Sequence, residues 1–167
     1  MTISMYQASM PMFLQLLGNL RKILDKGAAH AAAKKFDAAV LFNARIAPDM
    51  LPLSRQVQIA SDNAKGCAAR LAGIDPPKFE DSETTYPQLL ERIDKTVAFL
   101  KTVKPEQVDG SEGREITLKF PNSTFTFKGL QYLTNFALPN FTFHVVTAYN
   151  ILRHNGVAIG KTDYLGG

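Results

Sequence analysis

The 167-residue sequence contains a single cysteine, Cys67. One thiol excludes an intrachain disulfide framework and fits a reducing compartment. Charge of one sign is also scarce in bulk: the net charge is only +4, and the basic residues cluster no more tightly than the pairs Arg21-Lys22 and Lys34-Lys35. Without a basic block or a basic-aromatic ladder, no nucleic-acid partner is expected. No apolar run has membrane-spanning length, and the first residues show no basic-then-apolar leader. The expectation is a cytoplasmic, soluble protein with no membrane partner. Internal repeats are absent. Gly160-Lys161-Thr162 lacks the upstream glycine that a phosphate loop requires, and no strained nucleophile turn is present.

What is there suits one domain over residues 1–167, since 46% hydrophobic and 20% charged residues are ordinary for a globular chain with a real core. Between about Ile3 and Lys26, Phe13, Leu16, Leu17, Leu20, Ile23 and Leu24 recur at helical spacing, with Pro11 predicting a kink or late start. A short helical turn is expected within Phe36–Ile46. A second long helix is predicted from about Pro48 to Leu71, with Pro48 and Asp49 in its first turn. Its apolar stripe runs Met50, Leu53, Val57, Ala60, Ala64, Cys67 and Leu71. Gly73 and Pro76-Pro77 end it and open a long connection to Thr85. A third helix follows to Lys101 on Leu89, Leu90, Ile93, Val97 and Leu100.

Strict alternation in Ile116-Thr-Leu-Lys-Phe120 and Thr124-Phe-Thr-Phe127, around Pro-Asn-Ser, signals a β-hairpin whose apolar face must lie on the helices. The stretch Pro139–Asn155 is apolar almost all round, which places a helix in the middle of a bundle. The tail after Gly156 reads as extended.

Candidate chemistry gathers on that last helix. His144 and His154 are ten residues apart, about 15 Å along a helix axis, so they cannot share one metal ion. His144 lies near the helix start, where a neutral-pH acid or base is useful. His154, beside Asn155-Gly156, reads as a helix-end residue. Asp49, Gln56, Asn63 and Arg70 repeat every seven residues along one flank of the second helix, either as a solvated edge or, for Asp49 and Gln56, as the lining of a polar pocket. Cys67, on the core stripe, reads as a small buried hydrophobe.

Two motifs, ARIAPDMLPLSRQVQIASDNAK and PNFTFHVVTAYNILRHNGVAIGKTDYL, resemble an uncharacterised bacterial and fungal family of the DinB/YfiT-like superfamily. The resemblance extends over essentially the whole chain. It implies an all-α fold: a four-helix bundle with a long crossover after helix 2 and, here, a small β-hairpin before helix 4. It also implies homodimers and, in many members, a three-histidine divalent-metal site at one end of the bundle. This sequence departs from that pattern: helix 2 offers Asp49 and Gln56, and helix 4 offers His144 with Ala148 one turn on. The expected function is therefore a small-molecule-binding protein or cofactor-free enzyme, with His144 and Asp49 as catalytic candidates and Arg45, Gln56 and Tyr149 as ligand contacts. No metal ligand is assigned and no cofactor is expected. The alternatives are a metal-dependent enzyme with a degenerate site and a dimeric interaction module without catalysis.

Overall fold

A computed structural model describes residues 2–167. Pro11 sets the beginning of α1, Met10–Lys34, by occupying its first turn, where a missing backbone donor costs nothing. The helix then runs unbroken through Gly27, so the alanine-rich segment continues α1. The short α2 spans Ala39–Phe42.

The second long helix, α3, spans Leu53–Ala72 and begins five residues later than Pro48. Pro52 is its N-cap in an extended conformation, and the Leu53 amide bonds back to the Ala44 carbonyl. Both prolines are compatible with a first turn, but only the second leads into helical backbone. Gly73 ends α3 in the left-handed conformation, φ 70°, where a side chain would be strained. The connection 73–85 leads to α4, Tyr86–Thr102, whose Gln88 side chain accepts the Thr84 and Thr85 amides.

After α5, Pro105–Val108, come β1, Glu115–Phe120, and β2, Ser123–Lys128, antiparallel with Ile116 opposite Phe127 and Leu118 opposite Phe125. Only β1 sits deeply on the helices: Ile116 and Leu118 are buried, while Phe120 is 46% and Phe125 48% exposed. A short α6, Gly129–Tyr132, passes through one π-helical segment, Leu133–Ala137, into α7, Leu138–His154. The tail ends in a further short helix, α8, Lys161–Leu165, rather than remaining extended.

The chain is thus mostly helical with one two-stranded antiparallel sheet, not purely α. The buried apolar residues form one cluster. Helix α3 packs most extensively on α7 and also on α4, while α1 packs on α4, α7 and α8. Helix α7 is less enclosed than its composition suggests. Phe141, Val145, Ala148, Ile151 and Leu152 are buried, but Phe143 is 54% exposed, because the faces toward α1 and α3 leave one side to solvent. No described helix is long and apolar enough to cross a membrane.

Candidate functional site

The α3–α7 interface holds a row of polar pairs. His144 Nδ1 lies 2.7 Å from Gln56 Oε1, Asn140 Nδ2 donates to Asn63 Oδ1 over 3.0 Å, and Arg70 Nη1 donates to the Tyr132 hydroxyl over 3.1 Å. Gln56, Asn63 and Arg70 are two turns apart along one side of α3, so a single helical face meets α7 and α6 at three levels. The row that could pass for a solvated edge is an inter-helix contact from Gln56 onward.

Gln56 is 2% exposed, and its amide orientation is fixed. Its Nε2 donates to the Leu51 carbonyl over 2.9 Å, which turns Oε1 toward the imidazole. An amide oxygen can only accept, so His144 Nδ1 carries the hydrogen and Nε2 carries the lone pair. Nε2 makes no hydrogen bond with a described residue and is not enclosed, so it meets solvent. Burial of the half-buried ring holds its pKa below the ordinary histidine value, because the charged form loses hydration there. The result is a neutral ring of fixed tautomer with one open basic nitrogen.

The other sequence candidates lie elsewhere. Asp49 is exposed in the turn before α3 and shares no hydrogen bond with His144. Arg45 is exposed too and braces that turn by donating to the Met50 carbonyl over 2.6 Å. Tyr149 is half-buried on α7 and faces α8, beside Tyr164 and Lys161. Only Gln56 and His144 of the five are brought together. His154 is exposed at the end of α7, where Asn155 donates to the Ile151 carbonyl and Gly156 turns the chain. Burial pushes the Cys67 thiol up to about 12, which leaves it protonated and unreactive at neutral pH.

A three-histidine metal site does not fit these residues. His144 offers only its Nε2, since Nδ1 is bonded to Gln56 Oε1, and among the described residues no group of three or more His, Cys, Asp or Glu side chains converges as a metal would require.

The opposite side of α3 carries a charged cluster that periodicity did not reveal. Arg92 on α4 is only 2% exposed. It donates to Glu83 (2.9 and 3.2 Å), to Asp62 (2.8 Å) and to the Glu80 carbonyl (3.1 Å), and it pairs with Asp81 at 3.0 Å. Glu83 and Asp81 belong to the 73–85 connection, so a buried guanidinium ties that segment to α3 and α4. Arg55 and Lys65 neutralise the outer sides of Asp81 and Asp62, at 2.6 and 2.9 Å. The available sequence signal was an arginine directly before Ile93 and three after Leu89, on the apolar stripe itself.

Comparison with known proteins agrees with this architecture. No curated protein matches the chain. A crystal structure of a DinB family member protein from Shewanella denitrificans superposes with a TM-score of 0.88 at 41% sequence identity, covering 97% of this chain and 92% of that one. Residues 5–165 match the family described as a domain of unknown function, DUF1993. The chain therefore belongs to DUF1993, an uncharacterised family of DinB-like proteins.

Proposed function

We propose that this protein binds a small molecule against the α3–α7 seam and that His144 Nε2 accepts a proton from it, as in a cofactor-free acid–base enzyme. In this reading the four long helices α1, α3, α4 and α7 form the DinB/YfiT-like four-helix bundle, with residues 73–85 as its crossover. The observation that carries the proposal is the chain Leu51 O, Gln56 amide, His144 Nδ1, which fixes the tautomer and leaves the lone pair facing outward. General-base catalysis needs that preset: a ring already neutral at working pH, held by a second group, with its free nitrogen open to a ligand.

Nitrogen-15 NMR of the imidazole tests it. The Nδ1–H tautomer is expected, with a titration midpoint below the usual value of about 6.5. Gln56→Glu, which sets a carboxylate beside Nδ1, should raise that midpoint. Because the folded ring resists protonation, its contribution to stability is present above about pH 6.5 and is lost as pH falls through the folded midpoint. An Nε2–H tautomer, or a midpoint at or above the ordinary value, would sink the proposal. So would a fragment screen in which no small molecule shifts the His144 ring signals.

A further inference from the structure

We infer that the cleft between α3, α7 and the hairpin is a second site, for a small carboxylate with an aromatic or branched apolar body. The cleft measures about 220 Å³ and has two unlike halves. One half is polar, with Asn63, Arg70, Asn140 and the Asp62 carboxylate, whose charge is balanced by Lys65 and Arg92; the other is the apolar wall of Leu118, Phe120 and Phe136. It lies beyond the seam level of His144, since Asn63 is two turns from Gln56, about 10 Å along α3. The inference therefore goes beyond the His144 reading and does not rest on it.

The polar half has donors to spare. Arg70 uses Nη1 on Tyr132, and its Nε and Nη2 bond to no described residue. Its guanidinium also lies over the Tyr132 ring, 5.9 Å from the centroid, which fixes its plane. The Asn63 amide nitrogen is buried and has no partner, a state that costs free energy until something accepts from it. The nearby Asp62 carboxylate does not supply that acceptor, because it is committed to Lys65 and Arg92. The unspent guanidinium edge of Arg70 is matched by an anionic, planar acceptor, and charge-assisted bonds to it are the strong kind; the Asn63 amide nitrogen joins them only as a ligand draws it out of its buried position.

The backbone makes room for this arrangement. A Cβ at Gly66 would stand 2.5 Å from Arg70 Nη1, so the glycine lets the guanidinium fold back over α3. The volume is below the roughly 300–1,000 Å³ typical of drug-sized ligands, which favours a compact metabolite over a nucleotide or a peptide. The apolar wall then selects the body. Phe120 is nearly half exposed and gains burial when the cleft is filled.

Benzoate, with isovalerate as the branched-chain counterpart, is the probe, titrated into the full chain with the Asn63 and Asn140 side-chain amide signals and calorimetry as readouts. Saturable binding to at least one acid is expected, with benzamide weaker by about tenfold or more because it lacks the charge. Arg70→Met should weaken the acid about tenfold and leave benzamide unchanged. Phe120→Ser, at an exposed position, should weaken both while melting as the parent does. Binding of benzamide as tight as benzoate, full affinity in Arg70→Met, or no saturable shift with either acid would overturn the assignment. The tautomer of His144 is read separately, so a failure of the cleft and a failure of the acid–base reading are distinguishable.

Discussion

The two polar faces of α3 differ in what they leave unspent. Toward α4 and the 73–85 connection, the buried Arg92 meets Glu83, Asp62 and Asp81, while Arg55 and Lys65 balance the carboxylates from outside. Toward α7 and α6 the partners are amides, an imidazole and the Arg70–Tyr132 pair; a lone pair at His144 and donors at Arg70 remain open, and the buried Asn63 amide nitrogen has no partner. A self-neutralising cluster stabilises a connection by pairing its charges, even though the buried Arg92 Nε has no partner among the described residues. A seam with free valences on a half-buried surface is where a ligand gains most from hydrogen bonding.

The largest way to break that contrast is Arg92→Met. Removing the cation leaves three carboxylates facing one another, with an expected loss of about 3 kcal/mol in urea unfolding. A smaller effect is expected from Ser61→Ala, which removes the buried Ser61–Thr96 hydroxyl pair at 2.5 Å between α3 and α4. Thr96 retains the Arg92 carbonyl as its acceptor, so the cost should be about 1 kcal/mol, read in the same unfolding experiment. If Ser61→Ala matched Arg92→Met, the ion cluster would be no special anchor. The smallest stability effect is expected from Gly66→Ala. Its Cβ meets only the flexible end of Arg70, so thermal melting should stay level or rise by about 1 kcal/mol of stability through helix propensity. Benzoate affinity should fall all the same as the guanidinium swings out. A variant more stable than the parent but unable to bind would separate the open face of α3 from the closed one.

Periodicity made the helices readable because burial follows it. Of the stripe the spacing predicts, Leu53, Val57, Ala60, Ala64, Cys67 and Leu71 are buried, while Met50 lies in the turn before α3 and is only half-buried. Pro11 marks the real start of α1, and the hairpin strands lie within a residue of their alternating segments. The start of α3 was less legible, since Pro48 and Pro52 satisfy the same local rule and only the tertiary bond from Leu53 to Ala44 distinguishes them. Asp49 falls outside the helix for that reason. The Gln56–His144 pair was legible as two polar residues beside apolar stripes. Asn63 and Arg70 were not, because an amide or guanidinium on a helix flank looks the same whether it meets water or Asn140 and Tyr132. Arg92 escaped notice because its carboxylates come from a connection whose path no periodicity describes.

The π-helical segment Leu133–Ala137 has a consequence for phase. In an uninterrupted α-helix, each residue turns the chain by about 100°, so Tyr132 and Asn140 would point about 80° apart, and Tyr132 and His144 about 120° apart. A π turn absorbs roughly one extra residue. Counted that way, the offsets shrink to about 20° on either side, and Tyr132, Asn140 and His144 fall in line opposite Arg70, Asn63 and Gln56. The alignment of the seam is thus set by a widened turn in Leu133–Ala137, a stretch that contributes none of the three polar pairs, much as a vernier is zeroed by a notch away from its scale.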